Sequence, residues 1–539
     1  MTGERPRRLV DDLLALVALA AFAPGCDARA RAASSDGREF SGVARAVAPA
    51  GSAATRASPS ALPTPSAEIP PPRSAAAIPA PPEPAPRKRI YGLTRFVWIR
   101  PTPDYSHEWI GYLWAGESVP LREENPVPGP GCEKWYAVEP RGFICDDGKR
   151  ATTDPESPAW KLVARYAPHF DSPTPHRYAE SMGAERYERL PTPAEQRARE
   201  PALDKHFARL EAARQGKPSP LVEGVDLTEA KEEAPVIDAL PWQIQIPRRS
   251  FRRDSTIAFF DEYRSENRTF LLTSDFAWVP KDRTRPYHPA TFQGVRLGGD
   301  VKLPLAFFRE HDQPAYVRDE LGKFTPAEAT FARLSFVPLT GKQAVHWPYT
   351  YLETTRNGLW VRNTEAVVPT PSPYTPWGAK VGVPDTNSAK PRGRGTWVEA
   401  SVYGGWLIAY EDSIPVFVTL ASPGRGGVAQ PPLDPTKTSS TPTGRFVVTG
   451  KFVTATMDAP DDVTHADVPW VQNFSGPHAI HAAYWHDAWG ERVSGGCINV
   501  SPEDGKYLFE FSEPKLPPGW HGVRWDPHLE SATAVVVHP

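Results

Sequence analysis

Apolar and polar residues alternate over short runs along most of the chain, a pattern typical of β-strands. From residue 395 onward, the runs TWVEASV, GWLIAYE and IPVFVTLAS are separated by the turn residues Gly404-Gly405 and Asp412-Ser413. Runs separated in this way predict a β-meander. TPTGRFVVTGKFVTATM follows and predicts a turn with two more strands. We therefore expect a β-sandwich-like domain over residues 395–539.

Residues 236–385 contain similar runs, among them TIAFFDEY, ARLSFVPL and GLWVRNTEAVV. They predict a second β-rich module, for which the sequence offers no chemical motif. The chain as a whole is therefore expected to be mostly β.

Residues 151–235 carry the clearest helix signal and are interpreted as a helical connector. Thr192-Pro193-Ala194-Glu195 has the form of a capping box with proline at the first helical position, and Gly216 can end the helix. The pattern predicts one helix between these two signals. Apolar residues recur at helical spacing, at Leu203, Phe207 and Leu210.

Residues 1–26 have the form of a bacterial export signal. MTGERPRR gives a basic start, and Leu13–Ala23 is an apolar run too short to span a bilayer as a permanent helix. Gly25-Cys26 resembles the end of a lipobox, in which the cysteine receives lipid after cleavage. We expect export to the periplasm or cell envelope, with a lipid on Cys26 as membrane anchor. Secretion without a lipid is the alternative.

Residues 27–89 are rich in alanine, proline and serine and almost lack aromatic residues. Such a segment cannot bury enough apolar surface to offset the entropy of ordering, so it predicts a disordered tether. The net charge of −3 lacks the basic surplus of a nucleic-acid-binding protein, and no nucleic-acid partner is expected.

Residues 90–150 predict a small antiparallel barrel, because short apolar runs alternate with Gly and Pro turns. The phrases GYLWAGE and WYAVEPRGFIC resemble those of bacterial SH3-like domains. That resemblance implies a module that binds or positions the cell wall. Cys132 and Cys145 lie in this segment, and in an oxidising compartment they are candidates for a disulfide.

Cys497 is the fourth of four cysteines, and a thiol kept in an exported protein points to chemistry because it can oxidise or mispair. Gly495-Gly496 precede it, so main-chain N–H groups can point at a developing oxyanion. His481 lies 16 residues upstream, a separation that two strands and a loop can close. A neutral imidazole can take the thiol proton, and this pair suits acyl transfer through a thioester.

Two other interpretations remain open on spacing alone. In the first, Cys497 is a buried small hydrophobe and the histidines lie in a surface loop. In the second, His478, His481, His486 and Cys497 bind zinc, although their spacings match no common zinc pattern.

The same segment resembles the YkuD-type catalytic domain of L,D-transpeptidases. The family signature is His-Gly or His-Ser, a gap, and then [Ser/Thr]-His-Gly-Cys followed by an apolar residue and Arg or Asn. The phrases IHAAYWHDAWG, INVSPEDG and TPTGRF also resemble the family. The matching residues are His481, Ser494, Gly496, Cys497, Ile498 and Asn499.

The resemblance implies a role for each matching position. Cys497 would be the nucleophile and His481 its base, while main-chain N–H groups of Gly495, Gly496 and Cys497 would form the oxyanion hole. No metal or cofactor is implied.

The resemblance also implies supporting residues around the nucleophile. Ser494 and Asn499 would hold the loop by hydrogen bonds. His486 would support these residues without contacting the substrate. Arg492 is a candidate contact for a substrate carboxylate, with a solvated loop position as the alternative.

Two positions depart from the signature: Gly495 replaces its histidine, and Ala482 stands where Gly or Ser is usual. The family reaction joins a peptidoglycan stem tetrapeptide, through a Cys thioester, to an amine acceptor. Transfer to water would make the protein an L,D-carboxypeptidase. A wall-binding scaffold whose transpeptidase domain is impaired by Gly495 is the alternative from another class.

Overall fold

The computed structural model describes residues 87–217, 219–235, 237, 250–288, 290–384, 395–458 and 463–539. The predicted export signal, Cys26 and nearly all of the predicted tether lie outside these residues. The described residues between 88 and 539 belong to one compact unit, and the boundaries predicted within them stay predictions. Among the described residues, no helix has both the length and the apolar character needed to cross a membrane.

The first part of the described chain forms short strands, which are β1 (Arg89–Gly92), β2 (Val97–Ile99), β3 (Gly111–Leu113), β4 (Ser118–Pro120), β5 (Val127–Gly129), β6 (Cys132–Ala137), β7 (Phe143–Cys145) and β8 (Ala151–Thr152). β1 pairs with β4 and β8, and β6 pairs with β5 and β7. β3 instead pairs with the distant strand Gly522–Arg524. Trp520 and Val523 accordingly share a core with Ile90 and Val119. This segment is β-rich as predicted, and its SH3-like fold stays a prediction.

The next part mixes helices and strands, which are α1 (Pro158–Val163), β9 (Arg177–Ser181), β10 (Ala184–Glu185), α2 (Pro193–Arg199), α3 (Leu203–Arg214), β11 (Ser250–Phe251), β12 (Thr256–Ser265), β13 (Arg268–Thr273), β14 (Trp278–Pro280) and β15 (Thr284–Pro286). Single 3-10 turns lie at Ala164–Tyr166, Pro220–Val222 and Lys281–Arg283. β9 lies between β12 and β15, so the predicted helical connector also contributes a strand to a sheet.

The prediction of one helix starting at Pro193 is right at its ends and wrong in its middle. The capping box is present: Glu195 N–H donates to Thr192 Oγ1 (3.3 Å), and Thr192 N–H donates to the Glu195 carboxylate (2.8 Å). The helix then breaks before Pro201, because a proline ring disfavours helical geometry in the preceding residue. Glu200 has φ −107° and ψ 94°. A second helix, α3, runs to Arg214, and Gly216 follows with φ 77°.

The module that precedes the C-terminal domain contains β16 (Val295–Arg296), β17 (Leu305–Phe307), β18 (Gln313–Arg318), β19 (Phe324–Phe331), β20 (Phe336–His346), β21 (Tyr349–Thr354) and β22 (Trp360–Arg362), with a 3-10 turn at Asn363–Glu365. Apart from β16, these strands form one sheet in the order β17-β20-β21-β22-β18-β19. Its β-rich character agrees with the prediction.

The C-terminal domain contains β23 (Thr396–Ser401), β24 (Trp406–Glu411), β25 (Ile414–Leu420), α4 (Pro435–Thr438), β26 (Gly444–Val447), β27 (Gly450–Asp458), β28 (Thr464–Ser475), β29 (His478–Ala482), β30 (Ile498–Val500), α5 (Pro502–Phe511), β31 (Gly522–Arg524) and β32 (Ala534–His538). β23, β24 and β25 form the predicted antiparallel meander. One sheet has the order β16-β25-β24-β23-β32-β26.

A larger sheet faces this one and runs through much of the described chain. Its path is β14-β13-β12-β28-β27-β31-β3-β2, with β29 and β30 added beside β28. Between the two sheets, Leu407 and Phe417 from one pack with Phe474, Ile480 and Ile498 from the other. The predicted β-sandwich character of the domain is confirmed, and the nucleophile candidate lies where β29 and β30 meet.

Candidate active site

The pairing of β29 with β30 places the predicted base and the predicted nucleophile on neighbouring segments of one sheet. β29 lies antiparallel to β28 and parallel to β30, in a register that sets His481 beside Asn499. Cys497 is the residue directly before β30. Because paired strands lie about 4.8 Å apart, residues that are distant in sequence become neighbours here.

Cys497 is a thiol with only 4% of its surface exposed. Its Sγ lies 4.0 Å from the carbonyl oxygen of Pro477, just before β29. Cys497 belongs to an apolar cluster that also contains Tyr112, Phe452 and Ala479. The nucleophile candidate is therefore held in largely apolar surroundings that exclude bulk water.

His481 is completely buried, and the main chain fixes its ring. Nδ1 lies 3.0 Å from the carbonyl oxygen of Ala482. A carbonyl oxygen only accepts hydrogen bonds, so Nδ1 is the donor and the neutral ring carries its lone pair on Nε2. Nε2 makes no hydrogen bond to any described residue. The departure at Ala482 is thus harmless to this contact, since every residue type has the carbonyl.

The turn before Cys497 requires glycine at position 496. Gly496 has φ 130°, which side chains rarely allow, and a Cβ atom placed on it would lie 2.9 Å from both His478 Nε2 and the Ser440 carbonyl oxygen. Gly496 N–H donates to Ser494 Oγ (3.1 Å). Its predicted place in an oxyanion hole stays a prediction, because in this structure the donor is engaged by Ser494.

The side-chain hydroxyls of Ser494 and Thr441 both donate hydrogen bonds to carbonyl oxygens of the same turn. Ser494 Oγ donates to the Cys497 carbonyl (2.6 Å), and Thr441 Oγ1 donates to the Gly496 carbonyl (3.0 Å). Thr441 Oγ1 also accepts from Gly424 N–H (2.8 Å). The sequence singled out Ser494 but not Thr441, whose one signal was its position at the start of TPTGRF.

Asn499 is held by its main chain and touches a histidine with its side chain. It exchanges two main-chain hydrogen bonds with Ser422, of 2.8 and 2.9 Å. Its side-chain amide lies 3.2 Å from His486 Nε2. These contacts fix β30 directly after the nucleophile.

His486 is partly buried and packs on Trp489, with ring centroids 4.6 Å apart. Burial, with a smaller contribution from the nearby His481, lowers the pKa of His486 to about 3. Nδ1 accepts from Ala488 N–H (3.2 Å). His486 is therefore a neutral support at ordinary pH.

Arg492 lies at an open cleft of about 520 Å³ near the turn. Its guanidinium lies 5.4 Å from the centroid of the Tyr403 ring. Arg309, from the module before the domain, lines the same cleft and donates to the Gly490 carbonyl (3.0 Å). The predicted contact of Arg492 with a substrate carboxylate stays a prediction.

Cys132 and Cys145 are joined by a disulfide, with Cα atoms 6.1 Å apart. They lie on the paired strands β6 and β7.

Over the described residues, no group of three or more His, Cys, Asp or Glu side chains is arranged to hold a metal ion.

Comparison with known proteins locates one family in the chain. Residues 397–532 match the family model of YkuD, the L,D-transpeptidase catalytic domain. No curated protein matches the chain.

Several solved structures are similar at low identity. An L,D-transpeptidase from Xylanimonas cellulosilytica DSM 15894 is 22% identical, covers 28% of this chain and 63% of its own, and has a TM-score of 0.19. An L,D-transpeptidase from Mycobacterium tuberculosis H37Rv is 18% identical, covers 38% and 77%, and has a TM-score of 0.20. L,D-transpeptidase 3 from Mycobacterium tuberculosis, in complex with a faropenem-derived adduct, is 18% identical, covers 38% and 79%, and has a TM-score of 0.20.

These TM-scores are low, so the assignment rests on the family model and on the fold just described. Residues 397–532 of this chain form a YkuD-type L,D-transpeptidase catalytic domain.

Proposed function

We propose that the protein is a peptidoglycan L,D-transpeptidase that works through a thioester on Cys497. The observation that carries the proposal is the orientation of the His481 ring. His481 lies on β29, which pairs with β30, and β30 directly follows Cys497. The Ala482 carbonyl fixes Nδ1, and Nε2 remains as a base with no hydrogen-bond partner among the described residues. The family match over residues 397–532 supports the class of reaction.

The first half-reaction acylates the thiol. His481 Nε2 takes the proton from Cys497 Sγ, and the thiolate attacks the amide carbonyl between the third residue of the stem, a diamino acid, and the terminal D-alanine. A C–S bond forms and the C–N bond breaks. The proton passes from His481 to the departing nitrogen, and D-alanine leaves as an amine.

The second half-reaction transfers the acyl group. An amine from a neighbouring stem attacks the thioester, a new amide bond forms, and the thiolate leaves. His481 takes the proton of the amine and returns it to Sγ.

Residues 494–497 form the turn that ends at Cys497, which we call the nucleophile turn. Its main-chain N–H groups would stabilise the tetrahedral intermediates. Gly495 and Gly496 lie in that turn, and the Gly496 N–H must leave Ser494 Oγ before it can serve. Arg492 would meet a substrate carboxylate at its cleft. Ser494, Asn499 and His486 would keep the turn and β30 in place.

The location of the reaction is also part of the proposal. The protein would be exported and held at the membrane by a lipid on Cys26, with residues 27–89 as a tether into the wall. Residues 90–150 would position the enzyme on peptidoglycan as an SH3-like module.

The test uses the purified full chain and a disaccharide-tetrapeptide substrate, with product masses measured over time. The expected result is release of D-alanine together with cross-linked dimers, both absent in Cys497→Ser. D-alanine release with tripeptide as the sole other product would instead identify an L,D-carboxypeptidase. Failure of the wild-type protein to release D-alanine would contradict catalysis and favour a wall-binding scaffold.

A further inference from the structure

His478, the first residue of β29, lies against the nucleophile turn. A Cβ atom placed on Gly496 would lie 2.9 Å from His478 Nε2 and 3.0 Å from its Cδ2, so the edge of the imidazole occupies the space beside the Gly496 α-carbon. The residue before it, Pro477, has the carbonyl oxygen that lies 4.0 Å from Cys497 Sγ. The turn into β29 therefore faces both the glycine and the thiol.

The ring of His478 is oriented by the same device as that of His481. Its Nδ1 lies 3.1 Å from the Ser475 carbonyl oxygen, to which it donates. In the neutral ring, the lone pair is consequently on Nε2, the atom beside Gly496. His478 is 6% exposed, so packing also restricts the ring.

The nucleophile turn itself has no imidazole. The L,D-transpeptidase signature has a histidine directly before Gly-Cys, and this chain has Gly495 at that place. A second imidazole nevertheless reaches the turn, from β29. Gly496 leaves room for it, because any side chain at that position would meet the His478 ring.

We propose that His478 supplies, from the neighbouring strand, the imidazole that the turn lacks at Gly495. It acts as a positioning residue: its ring packs on the Gly-Cys turn, and its Nε2 offers a hydrogen-bond acceptor beside the acylated cysteine. This inference rests on the proposed function, since it assigns a role within the acylation of Cys497. Proton removal from the thiol remains with His481.

The test is a compensation experiment on the full chain, with the acylation rate by a carbapenem measured by intact mass. His478→Ala is expected to slow acylation by tenfold or more. Gly495→His is expected to return the His478→Ala protein to within about threefold of the wild-type rate. His528→Ala, which removes an exposed histidine, is the matched control and should acylate normally.

The outcomes separate this inference from the function beneath it. Absence of an adduct on the wild-type protein would sink the proposed function. Normal acylation of the wild type and of His478→Ala would overturn the role of His478 alone. If His478→Ala is slow and the added Gly495→His change leaves it slow, the role of His478 is also overturned. That result would mean that the loss at β29 is purely structural, since an imidazole at another position cannot repair such a loss. The thermal unfolding midpoint of each single variant is compared with that of the wild type, and equal midpoints show that the variant folds normally.

Discussion

The side chain of His481 and the carbonyl oxygen of Ala482 are joined by a hydrogen bond of 3.0 Å, and this contact leaves the lone pair of the neutral ring on Nε2. Since the acceptor is a main-chain atom, the side chain of residue 482 has no part in it. The departure of Ala482 from the family signature and the preservation of His481 are therefore compatible.

His481→Ala is expected to lower the rate of Cys497 acylation by about 10²–10⁴-fold, with a smaller effect on substrate affinity, because a base acts in the transition state. Ala482→Gly is the matched variant, which keeps the carbonyl and should change the rate less than about threefold. Carbapenem acylation measured at several concentrations separates rate from affinity. A damaging His478→Ala with a mild His481→Ala would mean that the base has been assigned to the wrong histidine.

Thr441→Val should destabilise the nucleophile turn. The change removes the hydroxyl that donates to the Gly496 carbonyl and accepts from Gly424 N–H. Leaving buried groups unsatisfied costs about 1–3 kcal/mol in the free energy of unfolding, measurable by urea denaturation. Acylation should slow as well. Thr436→Val removes a hydroxyl whose partner is the exposed Asp434, and it serves as the control with little effect on either measurement.

The pKa of His486 predicts an acid-sensitive contribution to stability. Burial lowers this pKa from its ordinary 6.5 to about 3. As pH falls, His486 therefore takes up a proton in the unfolded chain before it does so in the folded protein. The contribution of the buried neutral ring to the free energy of unfolding is complete above pH 6.5 and is lost progressively towards pH 3. Unfolding midpoints of wild type and His486→Gln, compared between pH 7 and pH 4, should show a steeper decline for wild type. Parallel declines would refute the buried neutral state.

The Cys132–Cys145 disulfide should stabilise the protein by restricting the unfolded chain. For a sequence separation of 13, loop closure contributes about 2–3 kcal/mol. Cys132→Ser should lower the free energy of unfolding by this amount without reducing the acylation of Cys497. Thiol labelling of the unfolded, unreduced protein provides the second measurement, and labels on Cys132 or Cys145 would contradict the bond.

Local signals in the sequence predicted local structure well. The turn residues between β23, β24 and β25 marked a meander, and Thr192 with Glu195 marked a helix start. The break at Pro201 was also written in the sequence, since proline restricts the residue before it. The helical spacing of Leu203, Phe207 and Leu210 nevertheless favours one continuous helix across it.

Contacts between distant segments could not be predicted from one sequence. The parallel register of β29 and β30 follows from sheet packing, which no short motif encodes. The hydroxyl of Thr441 reaches Gly496 across 55 positions. The pairing of β3 with β31 joins a strand near the start of the described chain to one near its end. The sequence singles out His478 only as a candidate zinc ligand, because its place beside Gly496 depends on the turn into β29.

Intact-mass analysis with peptide mapping measures whether Cys497 is the acylated nucleophile. After exposure of the full chain to a carbapenem, we expect a mass increase of one inhibitor per protein, located on the peptide that contains Cys497. Cys497→Ser should gain no mass, because a serine hydroxyl ionises far less readily than a thiol. An unmodified wild-type protein, or an adduct of equal yield on Cys497→Ser, would show that Cys497 is not the nucleophile.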